Sequence, residues 1–289
     1  MWKRKLALRA CETFGEPIEQ LLPKIKQVGF EAFFAAWESP EQMAQVAVLA
    51  KDSGLEIQSM HAPFRSAAQM WEGPDEAAEA GTDLLVSCIE DCARHEVPVV
   101  VSHVYIGFED KPHIITSKGL DRFGRVLRAA EGTGVKVAFE NTEGEEFLAA
   151  LFENFGSHPN IGFCWDSGHE MCYNHSQDLL AKYGKYICAT HLNDNAGIKD
   201  YTGIAHPADD LHLPPFDGIA DWSDAMMRLA ATGFDGPLTF ELKRHARPGR
   251  HETDRYMRVP LEEYLADCYI RACRTALLFE KARKMQKSV

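Results

Sequence analysis

Eight short apolar runs divide this chain at regular intervals: Leu6–Ala10, Ala32–Trp37, Leu55–His61, Val97–His103, Val135–Glu140, Ile161–Asp166, Tyr186–His191 and Leu238–Glu241. Between them lie longer stretches with helical spacing, among them Pro40–Ser53, Pro74–His95, Ser117–Gly132, Glu145–Phe155, Asp221–Thr232 and Pro260–Lys284. Parallel strands cannot be joined by tight turns, so strand–helix alternation implies a parallel sheet covered by helices. Gly29, Gly54, Gly132, Gly134 and Gly233 stand where helices should stop, and Pro17, Pro40, Pro74 and Pro260 where they should start. No linker or low-complexity tract interrupts the pattern. No Gly-rich phosphate loop follows an early strand, which argues against an open doubly wound sheet. The expected fold is a single-domain α/β protein, a (β/α)8 TIM barrel over residues 1–289, and the length of 289 residues suits one such barrel.

Charge narrows the range of partners. The formal net charge is −12, whereas proteins that grip nucleic acid need a basic footprint to neutralise phosphates. Nucleic acid is therefore not the expected partner. The eight cysteines form no CxxC pair and are scattered through apolar stretches, which reads as reduced, mostly buried thiols. The basic start Met1-Trp2-Lys3-Arg4-Lys5 is not followed by a long apolar run, and no segment is apolar enough to span a membrane. A cytoplasmic protein is expected.

Active sites of such barrels lie at the C-terminal ends of the strands. Six successive runs, the third to the eighth, end in His61, His103, Glu140, Asp166, His191 and Glu241. A single histidine or glutamate at a strand end is commonly structural. Six in order at one rim are not readily independent accidents, and converging carboxylates would repel one another unless a cation joined them. Glu140, Asp166, His191 and Glu241 form a ligand set suited to Mn, Zn, Co or Mg. His169 follows Asp166 at a spacing that can turn both inward, and Asp210 and His212, in a Pro-rich loop, can point to one side if that loop is extended. These three, with His61 and His103, are candidates for substrate binding or additional metal. The basic stretch Lys243–His251 supplies Arg244, Arg247 and Arg250 as a candidate anion clamp. Trp37, Phe64, Trp71 and Tyr105 are candidate apolar walls.

Phe139-Glu140-Asn141, Trp165-Asp166-Ser167-Gly168-His169, His191-Leu192-Asn193-Asp194 and the final Glu241 resemble the xylose isomerase-like barrel superfamily, which includes sugar isomerases, ketose 3-epimerases and the endonuclease IV type of abasic-site endonuclease. The resemblance runs from His61-Ala62-Pro63-Phe64 to Thr239-Phe240-Glu241. It implies one divalent metal on Glu140, Asp166, His191 and Glu241, with Glu140 and Glu241 as the acid/base pair of a sugar or sugar-phosphate isomerase or epimerase, and His169 holding a substrate oxygen. Many ketose epimerases place an Arg six residues beyond the metal-binding His, where this chain has Gly197. The endonuclease IV resemblance covers the whole ligand set of that enzyme's multi-metal site, at His61, His103, Glu140, Asp166, His169, His191, Asp210, His212 and Glu241. The chain lacks a basic, glycine-rich loop after the first strand.

Three functions follow as expectations. The first is a metal-dependent isomerase or epimerase acting on a small carbohydrate by proton transfer beside a carbonyl. The alternatives are metal-dependent phosphodiester hydrolysis and a catalytically inactive binding barrel. The long C-terminal segment Pro260–Lys284 offers a surface on which a homo-oligomer could form.

Overall fold

The computed structural model describes residues 4–108, 112–199, 206–245 and 249–287. Among these residues eight strands form one parallel sheet: β1 Leu6–Arg9, β2 Ala32–Ala36, β3 Glu56–His61, β4 Val99–His103, β5 Lys136–Glu140, β6 Ile161–Asp166, β7 Ile187–His191 and β8 Leu238–Phe240. Neighbours in sequence are neighbours in space, and β8 pairs with β1. An isolated bridge between Leu192 and Phe240, with Leu192 N–H donating to Thr239 O at 2.8 Å, completes the ring between β7 and β8. The helices α1 Ile18–Val28, α2 Pro40–Ser53, α3 Ala67–Glu72, α4 Asp75–Arg94, α5 Ser117–Ala129, α6 Glu145–Phe155, α7 Ser167–Cys172, α8 Leu179–Tyr183, α9 Trp222–Ala231, α10 Asp254–Met257 and α11 Leu261–Gln286 connect the strands or follow them. The protein is a single-domain TIM barrel.

Each apolar run became a strand because its residues alternate between two destinations. Leu8, Phe33, Val100, Val137, Phe139, Phe163, Trp165 and Phe240 belong to the main core, packed under the helices. The intervening residues Val99, Val101, Ala138, Cys164 and Ala189 form a separate small cluster inside the ring. Large side chains face outward and small ones inward, because the interior of an eight-stranded barrel has room only for layers of compact side chains. The same two-residue period then carries Glu140, Asp166 and His191 to the inside at the strand ends.

Helix boundaries follow local chemistry. Ser39 caps α2, its hydroxyl accepting from Gln42 N–H, with Pro40 at the first turn. That helix ends on Gly54 in the left-handed region at φ +65°, its N–H closing onto Ala50 O. The short helices α3, α7, α8 and α10 lie outside the periodic stretches seen in the sequence, since a turn or two of helix leaves little periodic signal. No helix among the described residues is long and apolar enough to cross a membrane.

Phe139 is fully buried, with the Phe123 ring of α5 edge-on at 5.7 Å. Phe139→Ala is expected to destabilise the barrel by ~3–5 kcal/mol through lost transfer energy plus the cavity left behind. Urea unfolding measures it; a loss below about 1 kcal/mol would mean that the helices collapse into the space.

Candidate metal centre

Glu140 is the hub of the site. It is wholly buried at the end of β5, and four imidazoles face it. Its Oε1 lies 3.2 Å from His191 Nδ1 and 3.2 Å from His169 Nδ1; its Oε2 lies 3.3 Å from His103 Nε2 and 3.4 Å from His61 Nε2. Glu241, one residue beyond β8, places Oε2 at 2.8 Å from His191 Nδ1. Asp166 closes the group from β6, where it also caps α7 by accepting from His169 N–H at 2.7 Å.

These side chains fall into three sets, in each of which one ligand atom per residue lies within 4.8 Å of the others: His61, His103 and Glu140; Glu140, Asp166, His191 and Glu241; and His169, Asp210 and His212. All nine residues expected from the sequence are thus brought to one end of the barrel. Within the first set the Nε2 atoms of His61 and His103 stand 3.2 Å apart, and Glu140 Oε2 is buried without a hydrogen-bond partner in good geometry. Two facing imidazole nitrogens and a buried carboxylate oxygen without a good hydrogen bond form a donor set that fits a divalent metal. Nitrogen and oxygen ligands without thiolate suit Zn, Mn, Co or Mg over softer ions.

A surrounding layer fixes the ligands. Asn193 Nδ2 donates to both Asp166 oxygens at 3.0 and 2.9 Å, and Asn141 exchanges hydrogen bonds with the Asp166 backbone. Gly168 permits this arrangement, because a Cβ there would collide with the Asn193 side chain. Phe34 of β2 stacks on His191 at 4.4 Å between ring centres, and Phe64 on His103 at 4.6 Å. Buried Asp194 accepts from Phe216 N–H, Ala220 N–H and Trp222 Nε1, which ties down the loop carrying Asp210 and His212. Those two do converge, with Asp210 Oδ2 2.7 Å from His212 Nε2. The means differs from the extended loop expected from the sequence: His212 takes a left-handed backbone at φ +50°, a cost accepted where surrounding structure holds it.

The basic stretch behaves differently from its expectation as a clamp. Arg244 donates to the backbone carbonyls of Tyr256, Phe14 and Val259, and Arg250 to Asp209, Glu252 and Ala208 O. Neither lines the cavity over the metal centre; Arg247 lies outside the described residues. The cations that do line it are Arg9, Arg65 and Lys243. Of the candidate walls, Trp37 and Phe64 line the cavity. Trp71 donates to Val104 O in the core and Tyr105 stacks on Phe147.

Without metal, protons balance the carboxylates. Burial pushes Asp166 up to about 7, reinforced by Glu140, Glu241 and Asp210 and opposed by His169. Burial also raises Glu140 and Glu241, but His191 and His103 for the one, and Arg9 and His191 for the other, outweigh it and hold both well below the usual carboxylate range. Burial disfavours protonated His169 and His191, yet their anionic neighbours win and hold both well above the ordinary histidine value. His103 and His212 are pushed down by burial to about 4, so they are neutral at pH 7. A metal must displace the protons on Asp166 and His191. Affinity for zinc or manganese is therefore expected to fall by more than about tenfold per pH unit below 7. Competition with a chelating dye measures it, and affinity flat across that range would contradict the proton balance.

Similarity to known proteins agrees with this geometry. Residues 22–260 match the family model described as xylose isomerase-like TIM barrel. A protein of Sinorhizobium fredii, y4fM, is 31% identical over 175 residues, which is 56% of this chain and 53% of y4fM. The chain therefore spans about half the length of that relative. Among solved structures, IolI with a bound zinc atom superposes with a TM-score of 0.73 at 18% identity, covering 96% of this chain and 99% of IolI. L-ribulose 3-epimerase superposes with a TM-score of 0.70 at 14% identity, covering 99% and 97%. At such identities the structures establish a shared fold, and the match over most of its length places this chain in the xylose isomerase-like TIM barrel family.

Proposed function

We propose that this protein is a metal-dependent isomerase or epimerase that moves a proton beside the carbonyl of a small carbohydrate. The observation that carries the reading is the pair of buried carboxylates, Glu140 and Glu241, which approach the same atom, His191 Nδ1, from β5 and from the end of β8. A divalent metal bound by Glu140, Asp166, His191 and Glu241 would supply Lewis acidity to a substrate oxygen. The chain's own groups do the rest. Glu140 and Glu241 are both held ionised, so either can take the proton from carbon; the other, once it has picked up a proton from solvent, can return it to the opposite face. His169, whose Nε2 faces Asp210 at 3.7 Å, donates to a substrate oxygen. Phe34, Trp37 and Phe64 exclude water from one side of the cavity. The L-ribulose 3-epimerase fold neighbour supports the class of reaction.

A second reading, metal-dependent phosphodiester hydrolysis, is favoured by one observation: the two three-residue sets flanking the central one, each with two histidines and one carboxylate. Metal content separates the two readings. About one tightly held metal per chain accompanies the first, and close to three the second.

Incubation of the metal-loaded protein with a panel of ketoses and sugar phosphates in deuterated water is expected to place deuterium on the carbon beside a carbonyl. Glu140→Gln and Glu241→Gln should each slow the exchange by about 10²–10⁴-fold, the range for a positioned acid or base. No exchange into any substrate, together with cleavage of an abasic-site oligonucleotide, would transfer the assignment to the hydrolase. An unchanged metal content and no activity in either assay would leave the inactive binding barrel.

A further inference from the structure

Two cations reach the cavity from the strands that close the barrel. Arg9 ends β1, and the pairing of Leu8 with Phe240 sets it beside Glu241. Lys243 stands two residues past Glu241, with Nζ 3.6 Å from Asp210 Oδ2. Both line a cavity of about 500 Å³ above the metal centre. We infer that Arg9 and Lys243 form an anion subsite, and that the substrate carries a phosphate or carboxylate group which they receive. The inference rests on the metal-centred reading above and names its substrate class.

The argument turns on how the arginines of this chain use their donors. In Arg244 and Arg250 every guanidinium nitrogen is engaged: Arg244 meets three carbonyl oxygens, and Arg250 meets Asp209, Glu252 and Ala208 O. Arg9 is different. Its Nη1 donates to Glu241 Oε1 at 2.6 Å, and among the described residues its guanidinium makes no other hydrogen bond. A guanidinium carries five N–H donors in a rigid plane, so most of this fork is unused. The side chain is 23% exposed, and that exposure faces the cavity it lines. A cation that served only to balance the ligand carboxylates would be turned fully into them, as Arg250 is into Asp209 and Glu252. Held instead with one edge on Glu241, Arg9 offers its other edge to paired oxygens, the pattern of a phosphate or carboxylate. Lys243 adds a point charge from the segment just beyond β8, and exposed Arg65 also lines the cavity. A neutral polyol would leave the unused Arg9 donors to water, whereas an oxyanion satisfies charge and hydrogen bonding together.

The test titrates inorganic phosphate, and separately acetate, into the metal-loaded protein by calorimetry. Wild type is compared with Arg9→Lys, Arg9→Gln, Lys243→Gln and the remote Lys118→Gln, whose ammonium pairs with Asp75 on the surface. Metal per chain and thermal unfolding are measured on the same samples. Wild type should bind at least one anion, and its affinity should fall by about tenfold or more in Arg9→Gln and in Lys243→Gln, as expected for a lost charge-assisted hydrogen bond. Lys118→Gln should change nothing. Arg9→Lys keeps the charge beside Glu241 and removes the fork, so it decides the matter if Arg9→Gln loses metal or fails to fold. Preference for phosphate identifies a phosphorylated substrate, and preference for acetate a carboxylate. The inference is overturned if wild type binds neither anion, or if Arg9→Lys and Lys243→Gln retain wild-type affinity within about twofold. If the protein takes up no metal, the metal-centred reading falls, and the same titration on metal-free protein still decides the subsite.

Discussion

A glutamate with no exposed surface, surrounded by four imidazoles, sets the terms for everything else at the top of this barrel. An ionised carboxylate in an apolar interior is prohibitively costly unless charge and hydrogen bonds meet it. Glu140 has no lysine or arginine within ion-pair distance among the described residues; what meets it is His61, His103, His169 and His191. Each imidazole must in turn be held, and the means are visible. His61 Nδ1 is anchored on Ala62 O, His169 Nδ1 lies 3.1 Å from Asn141 O, and Phe34 lies flat against His191. The small residues beneath, Ala138, Cys164 and Ala189, leave space for this polar layer inside a ring whose outer face is densely aromatic. The polar end of the barrel and its dry middle are consequences of one alternation.

The loops depend on the same hub at one remove. Asn193 holds both Asp166 oxygens and follows His191 by two residues, so this support and His191 arrive on one strand extension. Asp194, next in sequence, turns the other way and gathers the backbone of the segment that carries His212. Supports one residue removed from the ligands are how a metal site is tuned as well as built.

Much of this was legible in the sequence because strand ends and candidate ligands coincide. That Glu140, Asp166, His191 and Glu241 converge at one rim could be read from the runs they terminate, and the runs match the strands closely. Arg9 was not identified, although it is the penultimate residue of the first run. Its meaning lies in the pairing of β1 with β8, a contact between opposite ends of the chain that no local period reveals. Basic density drew attention to Arg244, Arg247 and Arg250, but density reports composition and not direction. Of that stretch Lys243 lines the cavity, because it continues the inward alternation from Glu241. Trp71 and Tyr105 show the converse: a large aromatic expected near the mouth is as readily absorbed under the helices as turned to the cavity. The convergence of Asp210 and His212 was anticipated, but the left-handed residue that produces it was not, since histidine, though enriched among non-glycine residues in that region, enters it too rarely for sequence to point to one position.

On the metal-centred reading, the three ligand sets are not equivalent, and electrostatics ranks them. The central set offers three carboxylates and one imidazole, whereas each flanking set offers one carboxylate and two imidazoles. A divalent cation gains most where negative charge is densest, so the first ion belongs in the centre. Once Glu140 is engaged there, it has less charge to offer the set it shares with His61 and His103. The third set has Asp210 facing Lys243 as well as His169 and His212, so part of its negative charge is already met. A substrate oxyanion drawn to Arg9 and Lys243 would turn Lys243 away from Asp210 and restore that charge. On that reading, capture of an anionic substrate would be linked through Lys243 to occupation of the third set, the one that contains Asp210.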